Sequence, residues 1–136
     1  MNTTNIKLMR IAAVSGAVSV LLGAFGAHTL KEHLPAEALQ VFETGVRYQF
    51  IHTIALLLCG VLSDRFLTLR AGKFFVAGIV LFSGSLYLLA LRSQLGIDSW
   101  TWLGPLTPLG GIMFILGWIS LFVALKPKPE NGKHIL

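Results

Sequence analysis

The chain has 136 residues, of which 54% are hydrophobic and 12% are charged, and its mean hydropathy is +0.74. Charges make up roughly a quarter of an ordinary soluble domain, so this composition excludes that class and indicates a single domain whose solvent is lipid. The net charge of +5 does not indicate nucleic-acid binding, because the basic residues lie at the ends of apolar segments and form no patch with interleaved aromatic side chains.

Four long uncharged stretches recur along the chain, separated by short segments that hold nearly every charge. The stretch from Ile11 to Leu30 has 20 residues, of which only His28 is titratable, and the stretch from Ser99 to Leu125 has 27 residues without charge. A hydrocarbon core of about 30 Å needs about 20 helical residues, so each can cross a bilayer. We predict an all-α integral membrane four-helix bundle with spans over about 8–30, 43–62, 73–92 and 103–125, followed by a flexible cytoplasmic tail over 126–136.

The distribution of basic residues predicts the orientation of the bundle. If both termini are cytoplasmic, eight of the 11 basic residues lie inside, and Lys31, Arg47 and Arg92 lie outside. This asymmetry follows the positive-inside rule for short loops, and the sequence therefore predicts an N-in, C-in protein.

Helix one is predicted to run from about Lys7 to Leu30. Small residues at three- and four-residue spacing form one stripe on it, namely Gly16, Ser19, Gly23 and Gly26 or Ala27. Such a stripe lets another backbone approach closely, as in helix association in lipid, so we expect it to serve packing. A signal peptide is the alternative interpretation of this segment, but the apolar run is longer than a typical signal-peptide core.

Helix two can begin at Pro35, because proline suits the first helical turn, and it can extend to Leu62. An outer loop over 31–34 would precede it and an inner loop over 63–73 would follow it. Helix three is expected to begin near Phe74 and to end near Arg92, whose side chain would reach the head groups.

Helix four is predicted to start at about Leu103, just after an aromatic belt formed by Trp100 and Trp102. Pro105 and Pro108 fall in its first turns and are followed by two glycines. We expect a kinked or irregular start, which lipid tolerates only where protein or water satisfies the backbone, so this end should face protein.

Polar side chains within a span are candidates for function, because an unpaired charge there is costly. In this chain they gather in the outer half of the predicted bundle. The candidate cluster comprises His28 on helix one, Glu43, Arg47, Tyr48, Gln49 and His52 on helix two, and Ser85 on helix three. Glu43 and Arg47 are four residues apart, a spacing that favours a local ion pair contributing less than about 1 kcal/mol.

His52 should lie about two turns inside the outer boundary, where a protonated imidazole would be costly. We expect a neutral core histidine that is hydrogen-bonded to a hydroxyl or a backbone carbonyl of a neighbouring helix. A proton or ion pathway and metal or haem ligation are the alternatives. Haem ligation by His28 and His52 would need both to face the bundle interior at one depth. Two histidines without a nearby carboxylate or cysteine are a weak signal, so no cofactor or metal is predicted.

No recognisable catalytic pattern is present in the sequence. It contains no GxSxG elbow, no P-loop, no HExxH and no acidic pair within a span. Cys59 is the single cysteine, which excludes an internal disulfide and a cysteine cluster for zinc or iron–sulfur. We therefore expect a protein that is not an enzyme.

Several segments together resemble a known family. The runs are GAFGAH over 23–28, TGVRYQFIHT over 44–53, LFSGSLY over 81–87 and TPLGG over 107–111, followed by Gly117 and Trp118. They are similar, in the same order, to the YgdD/YwdK family of small four-span bacterial membrane proteins. The resemblance implies the fold and a location in the bacterial cytoplasmic membrane, and it implies no mechanism.

These observations favour a multi-pass protein that acts as a non-enzymatic membrane component and packs with itself or with a partner. The alternative is a small oligomeric transporter or channel with a polar path lined by His28, Tyr48, Gln49, His52 and Ser85. Because four helices rarely enclose a path alone, that alternative requires at least a dimer.

Overall fold

The computed structural model describes residues 3–126. All regular elements in that part of the chain are helices, and four of them are long and apolar enough to cross a membrane. These are α1 (Thr3–His33), α2 (Ala36–Leu62), α3 (Leu69–Leu95) and α4 (Leu103–Ala124). The predicted all-α architecture with four membrane-spanning helices is confirmed, whereas the predicted tail, beyond Lys126, lies outside the described residues.

The central pair of the bundle is α2 and α3, while α1 packs mainly on α2 and α4 mainly on α3. The share of buried residues in the most apolar part of each helix reflects this order, with 44% for α2 and 17% for both α1 and α4. The two flanking helices therefore present broad apolar faces to the surroundings of the bundle.

The connection between α1 and α2 is shorter than the predicted loop over 31–34. The helix continues through a π-helical turn at Gly26–Leu30 and ends only at His33. Leu34 is extended, with φ of −103° and ψ of 142°. Because a residue before proline is pushed out of the helical region, Pro35 fixes the end of α1 at this point, although the charged residues before it are helical.

The connection between α2 and α3 is also shorter than the predicted loop over 63–73, because α3 begins at Leu69. The fully buried Thr68 donates its hydroxyl to the Cys59 carbonyl at 2.6 Å. Asn5 Nδ2 donates to Asp64 Oδ1 at 2.8 Å, which ties the start of α1 to this connection. The first turns of α1 and the connection between α2 and α3 thus lie at one end of the bundle.

The stripe of small residues on α1 packs against α2, as expected for a packing role. A Cβ atom at Gly16 would lie 3.6 Å from Thr53 Cγ2, and one at Gly26 would lie 3.2 Å from the ring of Phe42. Ser19 is buried between them. The stripe therefore serves contacts within the chain.

The start of α4 is helical, where a kinked or irregular start was expected. Pro105 lies in the first turn, where its missing N–H would have no partner in the helix, and Pro108 is accommodated inside α4. Gly110 faces the backbone of Phe82, so a Cβ atom there would overlap the backbone nitrogen of that residue. Phe82 belongs to a second π-helical turn at Ile79–Ser83 in α3. This part of α4 faces protein, in agreement with the prediction.

Two apolar clusters form the core, one at each end of the bundle. The cluster near the start of α1 contains Leu56, Phe75 and Phe114, and the opposite cluster contains Leu30 and Phe42. Gln49, His52 and Ser85 are buried side chains from the segments between these clusters. The candidate site is this polar layer.

Candidate functional site

Gln49 is the side chain that links three helices in the polar layer. Its Nε2 donates to the Ser15 carbonyl of α1 at 3.1 Å and lies 3.3 Å from Ser15 Oγ. Its Oε1 accepts a hydrogen bond from the Tyr87 hydroxyl of α3 at 2.6 Å. With only 5% of its surface exposed, Gln49 thus joins α1, α2 and α3 through one amide.

The hydroxyl groups around Ser15 extend the same network. Ser15 Oγ and Thr53 Oγ1 are 2.7 Å apart, which places a second hydrogen bond between α1 and α2. Ser19 Oγ donates to the Ser15 carbonyl at 2.8 Å. Buried polar groups are costly unless they are hydrogen-bonded, and these groups satisfy one another.

His52 connects α2 to α4, and its two hydrogen bonds define its tautomer. The Nδ1 atom lies 2.7 Å from the Tyr48 carbonyl, and Trp118 Nε1 donates to Nε2 at 3.2 Å. A carbonyl only accepts and an indole N–H only donates, so Nδ1 carries the proton and Nε2 supplies a lone pair. The ring of Phe114 stacks on the imidazole, with centroids 3.5 Å apart. His52 is therefore a neutral, buried histidine whose carbonyl partner belongs to its own helix.

Ser85 connects α3 to α4. Its hydroxyl donates to the Phe82 carbonyl at 2.9 Å and lies 2.7 Å from Thr107 Oγ1. Because the one proton of Ser85 is used on the carbonyl, Thr107 is the donor of the second bond. Together with Gln49 and His52, Ser85 completes a set of hydrogen bonds that reaches all four helices.

Of the remaining candidates, Tyr48 contacts this layer, through its carbonyl bond to His52 and through its ring, whose centroid lies 5.9 Å from that of the imidazole. His28, Glu43 and Arg47 lie outside the layer, which corrects the expectation of a single polar cluster. His28 lies exposed in the π-helical turn of α1, and Tyr48 is 39% exposed with its ring 4.5 Å from that of Phe82. The structure therefore does not place His28 in the interior beside His52, as haem ligation by the pair would require.

Glu43 and Arg47 are both exposed and form no ion pair within the described residues. They line a cleft of about 280 Å³ between α1 and α2, together with Phe42 and Phe50. An exposed ion pair gains little energy against the entropy of two long side chains, which explains why the expected pair is not formed.

Metal binding would have to break the bonds just described. Among residues 3–126, no group of three His, Cys, Asp or Glu side chains could hold a metal ion. The one lone pair of the neutral His52 ring accepts the Trp118 bond, so His52 could ligate a metal only if Trp118 gave up its partner.

Six side chains in the layer lie outside the candidate cluster predicted from the sequence: Ser15, Ser19, Thr53, Tyr87, Thr107 and Trp118. Tyr87 belongs to α3, and its hydroxyl points to Gln49. Helical periodicity does place Gln49 and Thr53 on one face of α2, four residues apart, and this spacing could have identified Thr53.

Comparison with known proteins places the chain among bacterial membrane proteins. The family described as "Protein of unknown function (DUF423)" matches residues 22–111. The UPF0382 membrane protein YwdK of Bacillus subtilis (strain 168) is 43% identical over 124 residues, which cover 85% of this chain and 96% of the relative. The UPF0382 inner membrane protein YgdD of Escherichia coli (strain K12) is 39% identical over 135 residues, which cover 96% of this chain and 98% of the relative. No solved structure matches the chain.

These findings agree with the four apolar helices and confirm the predicted location in the bacterial cytoplasmic membrane. They also confirm the resemblance carried by the GAFGAH and TGVRYQFIHT runs, because the relatives cover most of the chain. The description of the family assigns no activity. The chain belongs to the UPF0382 (DUF423) family of multi-pass membrane proteins.

Proposed function

We propose that this protein is a non-enzymatic component of the bacterial cytoplasmic membrane that packs in the bilayer with itself or with a partner protein. The polar layer carries the proposal. The hydrogen-bonding groups of Gln49, His52 and Ser85 are used within the chain. Each side chain bonds to another helix, and His52 and Ser85 also bond to a carbonyl of their own helix. A general acid, a general base or a ligand needs a group that is free for its substrate, so this arrangement favours an architectural role.

The flanking helices support association in the bilayer. Leu21 on α1 is 69% exposed and Phe122 on α4 is 81% exposed, and both lie on helices whose apolar parts are mostly unburied. Helices associate in lipid by close packing, and the small-residue stripe of α1 is already used on α2. An interface with another protein would therefore use an outward face of α1 or α4.

Disulfide cross-linking in native membranes tests this proposal. The background is Cys59→Ala, because Cys59 is the single cysteine and is fully buried. Leu21→Cys and Phe122→Cys report on the flanking helices, and Leu58→Cys on the outward side of the central α2 is the matched control. We expect a covalent dimer or a partner adduct from one flanking position and none from the control. Monomers alone at all positions, also with a bifunctional thiol reagent, would contradict the proposal.

A flux measurement separates the proposal from the transporter alternative. Tyr48 and His52 contact each other, but His28 is exposed on α1 and Ser85 is bonded between α3 and α4, which supports the proposal against a path lined by all five residues. The protein in liposomes should conduct no ion flux that depends on His52. A flux that His52→Ala abolishes while the protein remains folded would replace the proposal with the transporter.

The N-in, C-in orientation is part of the same proposal. The excess of basic residues near the start of α1, in the connection before α3 and in the first turns of α3 supports it. A topology reporter fused after Leu136 should report the cytoplasm, and the same reporter inserted at Gly96, between α3 and α4, should report the opposite side. An external C-terminal reporter would overturn this orientation.

A further inference from the structure

A groove opens sideways between α1 and α3, in the half of the bundle that holds the start of α1. Its volume is about 420 Å³. Its walls are formed by valines of both helices, namely Val14, Val18, Val76 and Val80. Gln49 lies at the bottom of the groove, and Arg10 lies at one end. Because α1 and α3 lie on either side of α2, the groove faces the bilayer.

The interior of the groove suits a hydrocarbon chain. The amide of Gln49 is turned toward Ser15 and Tyr87, so it offers the groove no free hydrogen-bonding group. A polar ligand would lose its hydration without gaining partners, whereas an apolar chain would not. From Arg10 to Val18 the helix rises about 12 Å at about 1.5 Å per residue, so the groove extends from the end of the bundle toward the membrane interior.

The end of the groove is cationic. Arg10 lines it, and Lys7 shares the face of α1 that carries Val14 one heptad later. Lys73 occupies the corresponding position on α3, seven residues before Val80. All three side chains are exposed and form no ion pair or side-chain hydrogen bond with the described residues. These cations complement an anionic group at the bilayer surface.

We propose that this groove binds one anionic phospholipid. Arg10, with Lys7 and Lys73, holds the lipid phosphate, and one acyl chain lies between the valines of α1 and α3 over Gln49. The cations at one end of the groove complement a phosphate, and the apolar part of the groove extends from them toward the membrane interior, as an acyl chain does. These two features favour a lipid over a second protein chain. The site does not depend on whether the protein forms oligomers.

Native mass spectrometry tests the charged end of the site. The purified full chain is incubated with phosphatidylglycerol or with phosphatidylcholine of the same acyl chains, and the fraction with one bound lipid is measured. Arg10→Gln should reduce the preference for phosphatidylglycerol about fivefold, the usual contribution of one cation at a membrane surface. Arg70→Gln is the matched control, because Arg70 is exposed at the same end but lines a different cleft with Asn5 and Asp64. An equal loss in both variants would overturn the site.

Filling the groove tests the acyl-chain position. Val14→Trp places a large side chain in the groove, and Val20→Trp places it elsewhere on α1 at nearly the same exposure, 65% against 63%. Val14→Trp should remove most of the bound lipid of either headgroup, and Val20→Trp should leave it in place. Retention of lipid by Val14→Trp would overturn the proposal. A disulfide between two copies of the chain through Val14→Cys would also overturn it and would assign the groove to another copy of the chain.

Discussion

Two adjacent glycines of α4 provide a sharp test of how α3 and α4 pack. A Cβ atom at Gly110 would overlap the backbone nitrogen of Phe82 and lie 2.7 Å from its Cα atom. A Cβ atom at Gly111 would meet only the ring of Phe82, at 3.8 Å, which is ordinary contact. Gly110→Ala therefore forces the backbones of α3 and α4 apart, and Gly111→Ala does not.

The difference in stability between these variants follows from packing alone. Alanine is better than glycine in a helix by about 1 kcal/mol, and this gain applies to both positions. Overpacking costs about 1–3 kcal/mol, and a contact with backbone cannot be relieved by a change of rotamer. We expect Gly110→Ala to be less stable than Gly111→Ala by about 1–3 kcal/mol, with Gly111→Ala as stable as the unmodified protein or slightly more so.

The free energy of unfolding of both variants can be measured by reversible denaturation with sodium dodecyl sulfate in mixed micelles. Helical content before denaturation controls for gross misfolding. Equal free energies of unfolding for the two variants would refute the close approach of α4 to the π-helical turn of α3.

The same assay checks three further predictions. Trp118→Phe should lower the free energy of unfolding by about 1 kcal/mol, because His52 Nε2 loses its hydrogen-bond donor. Trp102→Phe, at an exposed position, should leave the free energy of unfolding unchanged, and equal effects of the two variants would contradict the bond between Trp118 and His52. Ser85→Ala should lower the free energy of unfolding by about 1 kcal/mol, because the bond to Thr107 is lost. Ser83→Ala should be nearly neutral, because the buried Ser83 hydroxyl has no partner among residues 3–126, and a larger loss from Ser83→Ala than from Ser85→Ala would contradict the stabilising role of the bond to Thr107. Gly78→Ala should cost about 1–3 kcal/mol by contact with the ring of Phe114, and Phe114→Leu should recover part of that loss; no recovery would exclude this contact as the cause.

The fold was predictable because it depends on a strong and local signal. An uncharged run such as the one from Ser99 to Leu125 can be satisfied in lipid only as a helix, since every backbone group must be paired internally. The ends of the helices were less predictable. Charged residues at 31–33 suggested a loop, but a helix can carry charges at the head groups, and the conformation required before Pro35 decides where α1 ends.

The candidate site was predictable only residue by residue. The sequence predicts that His52 is a neutral core histidine, and in the structure His52 is buried and contacts Tyr48, Phe114 and Trp118. Trp118, the hydrogen-bond donor to His52, lies 66 residues away in sequence, and a single sequence carries no information about which distant residues are in contact. The position of His28 also depends on the π-helical turn in which it lies, and such a turn departs from regular helical periodicity.

If the polar layer holds the helices together, Gln49 and Tyr87 should be coupled energetically, and a double-mutant cycle on the two residues measures this coupling. Gln49→Leu, Tyr87→Phe and the double variant are compared by free energy of unfolding in a bilayer-like environment. The cycle isolates the bond between Tyr87 OH and Gln49 Oε1, at 2.6 Å, from the other contacts of each side chain. We expect a coupling free energy of about 0.6 kcal/mol, the average for hydrogen bonds between membrane helices, and at most about 1.7 kcal/mol. Strictly additive effects would show that this bond does not stabilise the bundle and would contradict an architectural role for the layer.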